Sequence, residues 1–106
     1  MDWREQLTEA ICVQLGADAE TDATQLQLVA AAMERYLAGA IGEDCETVLH
    51  GDARLLSVAA LRAQLLYDPL GVAPQQAAAM DTIVQDLSEQ LRCEYRRRTE
   101  GDCTCG

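Results

Sequence analysis

Asp52-Ala-Arg-Leu-Leu-Ser-Val-Ala-Ala-Leu-Arg-Ala-Gln-Leu-Leu-Tyr-Asp-Pro69 decides the fold, because as a helix this stretch is apolar almost all the way round. A helix of that kind is buried on more than one side. In a chain of 106 residues its cover has to come from several other helices, with a neighbouring subunit as a further source. Asp52 caps it, and it stops by Tyr67 or Asp68, since the residue before Pro69 is pushed out of the helical region.

Composition agrees with a helical core. Hydrophobic residues make up 49% of the chain, yet Phe is absent and there is one Trp beside three Tyr. The core is therefore built from Leu, Ala, Val, Ile and Met, of which Ala and Leu are strong helix formers, while the residues that favour strands are scarce. A chain of this length is one domain with a thin stability margin.

Upstream, Asp2 reads as an N-cap with Glu5 after it, and Trp3, Leu7, Ile11 and Leu15 recur at a spacing of four up to Gly16. A polar, acidic segment follows, and Thr21 or Asp22 caps a longer helix. Its apolar stripe runs Leu26, Val29, Ala30, Met33, Leu37, Ala40 and Ile41 to a stop at Gly42. Residues 43–51 are the least regular; Thr47-Val48-Leu49 reads as loop in preference to a brief strand, which would have no partner. Downstream, a turn over 69–72 leads to Pro74 in the first turn of a closing helix. That helix carries Ala77, Met80, Ile83, Val84, Leu87, Leu91 and Tyr95 on one face, with Arg96, Arg97 and Arg98 at the end that the helix dipole favours for cations. The expectation is an all-α fold: a small bundle of about four helices around a central, strongly apolar one. Residues 1–98 form the single helical domain, and 99–106 a flexible, cysteine-containing tail.

The net charge is −10, and all eight basic residues are Arg. A surface this acidic repels phosphate backbones and disfavours non-specific nucleic-acid binding. It reads as a solvated face, with a charged lumen or a basic partner as the functional alternative. No basic region precedes an apolar run at Met1-Asp2-Trp3-Arg4-Glu5, and the apolar stretches are too short and interrupted to span a bilayer, so the chain is expected to be soluble and intracellular with no membrane partner. Five cysteines, at 12, 45, 93, 103 and 105, lack the spacing of a secreted disulfide module.

Catalytic chemistry finds little footing. His50 is the single histidine and lies in the acidic loop, where an exposed or loosely bonded role fits better than catalysis. Cys103-Thr104-Cys105 resembles a soft metal or redox tip with Cys93 as a third thiol, but a Zn site needs four ligands on a fixed framework. Cys12 and Cys93 fall near apolar positions and read as small near-core residues. There is no phosphate-cradling glycine loop, and the Arg96 to Arg98 run reads as a solvated helix end with phosphate or an acidic partner as the alternative. The expectation is a non-enzyme with no cofactor and no metal site.

The order of segments is more telling. A short first helix, an acidic linker, a second helix carrying Ala31-Ala32-Met33-Glu34-Arg35-Tyr36, an irregular excursion, an apolar helix ending Leu65-Leu66-Tyr67-Asp68, and a closing helix together resemble the small head-to-tail connector, or neck adaptor, proteins of long-tailed bacteriophages and prophages. The resemblance covers roughly residues 4–95. The chain departs from the family pattern in its short excursion and in its Cys-Thr-Cys tail. The resemblance implies an all-helical structural virion protein that assembles in the host bacterial cytoplasm and resides in the virion neck. It would form a homo-oligomeric ring below the portal protein, with DNA passing through unbound and tail or stopper proteins attaching beneath. An acidic lumen suits that passage. A ring would also cover the spare face of the apolar helix in a heterologous, closing interface, which makes Leu55, Leu56, Ala59, Leu66 and Tyr67 candidates for core or subunit contacts. Two alternatives belong to other classes: a small helical adaptor or regulator that takes a partner helix in an apolar groove, and a thiol or metal protein using the C-terminal cysteines.

Overall fold

Helix α1 (Trp3–Leu15) starts where the Asp2 carboxylate accepts the Glu5 backbone N–H at 2.8 Å, and ends where Gly16 turns left-handed. Gly16 has φ of 65°, and the N–H of Ala17 reaches back to the Cys12 carbonyl at 3.0 Å, so the orphan carbonyls of the last turn are satisfied. The computed structural model describes residues 2–67 and 72–100, and among these every regular element is a helix.

The linker is built by Asp18. Its Oδ1 accepts the N–H groups of Glu20 at 2.8 Å and Thr21 at 3.0 Å, and the two donors hold this exposed carboxyl below the usual range. Asp22 precedes α2 (Ala23–Ala40) but makes no side-chain cap; its Oδ2 accepts the Asp18 N–H at 3.0 Å instead. The expected stripe of α2 is buried at Leu26, Val29, Ala30, Met33 and Leu37, and Ile41 just beyond it is also buried.

Residues 43–51 differ from the expected loop. Cys45–Val48 forms a single helical turn, α3, with Cys45 and Leu49 buried one turn apart. Asp44 and His50 bracket it in the left-handed region, at φ of 56° and 52°. Such a turn is too short to announce itself by periodicity.

Helix α4 (Ala53–Tyr67) is the apolar one, and it packs against α1, α2 and the closing helix α5 (Pro74–Glu100). Leu55, Val58, Ala59, Ala60 and Ala63 are buried by the chain itself. Asp52 secures its start, accepting the Arg54 N–H at 2.9 Å and the Arg54 guanidinium at 2.8 and 3.1 Å. The turn expected over 69–72 lies outside the described residues except for Val72, which is buried.

Helix α5 (Pro74–Glu100) includes Thr99 and Glu100, which the sequence reading assigned to the tail; the remainder of that tail lies outside the described residues. On its expected inner face Val84 and Leu91 are buried and Leu87 and Tyr95 partly so. Ile83 is turned out at 46% exposure. Consecutive helical positions are about 100° apart, so Ile83 and Val84 cannot both point inward on a narrow seam. Arg54 meets Gln90 at 3.3 Å, so α5 runs back along α4. At its far end the Tyr95 hydroxyl donates to the Glu43 carbonyl at 2.8 Å and Arg98 to that of Val48 at 3.3 Å, which fastens the α3 segment to the bundle.

Among the described residues no helix is long and apolar enough to cross a membrane.

Candidate interaction surface

The five α4 residues singled out from the sequence separate into core and surface. Leu55 and Ala59 have no exposed area and belong to the same buried cluster as Leu7, Ile11, Met33 and Leu91, so they hold the bundle together. Leu56 is half-buried beside α1, while Leu66 and Tyr67, at the last turn of α4, are each 48% exposed. The own-chain cover of the central helix therefore ends at its C-terminus. Only Leu56, Leu66 and Tyr67 can meet a neighbour.

Between α1 and α4 lies a groove of about 550 Å³, walled by Gln6, Glu9, Ala10, Val13 and Gln14 on one side and Leu56, Ser57, Ala60 and Leu61 on the other. Gln14 Nε2 donates to Gln64 Oε1 at 2.5 Å and closes one end by tying the last turns of the two helices together. Small side chains at Ala10 and Ala60 leave the floor low, and Leu56 and Leu61 make it apolar. A second hollow of about 430 Å³ lies between α1 and the start of α2, lined by Glu5, Thr8, Cys12, Leu26 and Gln27 among others. Glu9 and Val13 line both, so they form the ridge between the two.

Val13 is 76% exposed and Leu28 64% exposed, and the sequence reading singled out neither. The signal was present: each is an apolar residue out of register with the stripe of its own helix, Val13 beside Leu7, Ile11 and Leu15, and Leu28 beside Leu26, Val29 and Met33. Such residues stand on the solvent side of an amphipathic helix. Gln14 adjoins Val13 and Gln64 lies one turn before Tyr67, so the hydrogen bond between the two glutamines places Val13 and Tyr67 towards the same end of the bundle.

Polar groups lie at the surface. Among the described residues no polar or charged side chain is buried as a whole. Arg4 and Glu34 form a two-pronged ion pair, at 2.5 and 2.9 Å, that joins α1 to α2, and the Arg62 guanidinium sits 5.1 Å from the centre of the Tyr36 ring. Arg97 and Arg98 both pair with Glu94, at 3.2 and 3.1 Å, and Arg98 also reaches the Val48 carbonyl, so two of the three terminal arginines are engaged by the chain itself. His50 is exposed in its left-handed turn. Among the described residues no three His, Cys, Asp or Glu side chains converge as metal ligands; Cys103 and Cys105 fall outside those residues. The Cys12 thiol donates to the Ala17 carbonyl at 3.2 Å, and burial pushes that of Cys45 up to about 11. Ser88 Oγ and Arg62 Nε are shut off from solvent with no hydrogen-bond partner among the described residues.

Among the described residues the two hollows and the exposed Val13, Leu28, Leu66 and Tyr67 are the main apolar surface features. Compared with known proteins, the chain matches no family model, no curated protein and no solved structure.

Proposed function

We propose that this chain is a subunit of the head-to-tail connector of a tailed bacteriophage or prophage, closing into a ring below the portal through which the genome passes. The observation that carries the reading is the pair Leu66 and Tyr67. They end the apolar helix in the Leu-Leu-Tyr-Asp segment on which the family resemblance rests, and they remain half exposed while Leu55, Val58, Ala59, Ala60 and Ala63 of that helix are buried. Apolar side chains left at the end of a rigid helix suit a heterologous contact with the next subunit of a closed ring. A net charge of −10 suits a passage along which DNA slides without adhering, because phosphate contacts need cations.

The test is co-expression with the portal protein encoded nearby, followed by native mass spectrometry and electron microscopy of the complex. A closed ring seated on the portal is the expected result, lost on Leu66→Asp or Tyr67→Asp with the helical circular dichroism unchanged. A gene neighbourhood without portal, capsid and tail genes overturns the reading, as does a folded chain that leaves the portal bare.

A further inference from the structure

We propose that the groove between α1 and α4 is a docking site for a basic amphipathic helix supplied by another protein. Of the ring-contact candidates the groove uses only Leu56; its exposed anchor is Val13, not Leu66 or Tyr67, on which the ring reading rests.

Its shape suits one helix. The α1 wall runs from Gln6 to Gln14, a rise of about 12 Å, which is the span of roughly two helical turns. An amphipathic helix presents anchors at i, i+3 or i+4, and i+7 over that distance. The low floor at Ala10 and Ala60 lets a backbone approach, and Leu56, Leu61 and the exposed Val13 supply apolar contact.

Charge selects the occupant. The groove lining holds one acid, Glu9, and no base. Glu5 stands one turn before Glu9 on α1, and Arg4, the cation of that turn, is engaged by Glu34. A partner helix flanked by Lys or Arg meets this edge and the field of a chain carrying −10, and its capture accelerates as salt is lowered. A second copy does not suit the groove. In a two-fold contact it would set the exposed Glu9 near its own equivalent, where like charges repel.

The test uses two synthetic helical peptides of about four turns with the same Leu anchors, one flanked by Lys and one by Glu, read by fluorescence anisotropy against the full chain. The Lys peptide is expected to bind, losing affinity as salt rises, and the Glu peptide to bind at least about tenfold more weakly. Glu9→Lys should weaken the Lys peptide roughly fivefold, and Val13→Asp should abolish its binding. Both positions lie on the exposed ridge, and circular dichroism verifies that each variant folds. Leu66→Asp, which breaks the ring contact, should leave peptide binding unchanged, so this site and the ring reading fail separately. Equal affinity for the two peptides, binding of neither, or indifference to Val13→Asp overturns the proposal. So does a dimer of the free chain that Val13→Asp dissolves, since the occupant would then be a second copy.

Discussion

The ring of Tyr95 occupies the space beside the α-carbon of Gly42, where a side-chain carbon would run into its Cε1 and Cζ atoms. The same ring carries the hydroxyl that holds the Glu43 carbonyl, so a single side chain late in α5 both packs on and hydrogen-bonds to the corner after α2. Replacing Gly42 by Ala displaces the ring. The expected cost is about 1 to 3 kcal/mol in urea unfolding. Tyr95→Phe keeps the ring and loses one hydrogen bond near solvent, so it should cost only about 0.5 kcal/mol.

Leu55 and Leu66 lie on the same helix with opposite environments, no exposure against 48%. Leu55→Ala opens a cavity at the centre of the bundle and should cost about 2 to 5 kcal/mol. Leu66→Ala should stay within about 0.5 kcal/mol of the parent. Thermal unfolding of the two variants, followed by circular dichroism, separates core from contact surface. Similar losses at both positions would contradict the division made here.

That division shows where the sequence was legible and where it was not. Asp2 with Glu5, the four-residue stripe of α1, the Gly16 stop and the seven-position stripe of α2 are local devices, and each is found in place. The apolar character of α4 revealed that it is central, but not that its own chain covers it as far as Ala63; that depends on how closely α1, α2 and α5 approach, which no single segment encodes. Ile83 was misplaced because a stripe read as broad is narrow in three dimensions. The α3 turn escaped because four residues cannot display a helical period. Of the surface residues, Leu66 and Tyr67 were picked out for their position in a motif. Val13 and Leu28 required attention to residues that break a pattern rather than make it.

Asp52 gives a pH signature. Hydrogen bonds from the Arg54 guanidinium hold its carboxyl below the usual carboxylate range. A depressed folded pKa means the ion pair contributes stability above the unfolded value of about 3.9, and that contribution disappears as pH falls through the lower folded value. Asn at this position can still accept the Arg54 backbone N–H through its one oxygen, so Asp52→Asn removes the charge and one of the two acceptors that hold the guanidinium. The variant should be less stable than the parent at pH 7, and the gap should close below about pH 4 in parallel denaturant titrations.

Cys45 should resist alkylation. With its thiol pushed up to about 11 by burial, and with Glu46 adding to the shift, almost no thiolate exists at pH 8, and the residue as a whole is only 2% exposed. Iodoacetamide followed by peptide mapping should leave Cys45 unmodified in the native chain and label it in denaturant. Replacing Cys103 and Cys105 by Ser should leave folding and assembly unchanged; loss of the fold on that change would give these residues a structural role.

Ser88 buries an oxygen that finds no partner among the described residues. Ala at this position removes the unmet acceptor and donor and improves helix propensity, so Ser88→Ala should raise stability by up to about 1 kcal/mol. A lower melting temperature for this variant would reveal a bound water or a partner at the hydroxyl.

The docking of α1 on α4 has a consequence for biosynthesis. These two helices lie side by side in the fold yet are separated in the chain by α2 and α3. While the polypeptide emerges from the ribosome, Leu7 and Ile11 have α2 alone to rest on until residue 67 clears the exit tunnel. A nascent chain stalled before that point displays a sticky first hairpin. Completion of α4 is the step that covers Leu7 and Ile11.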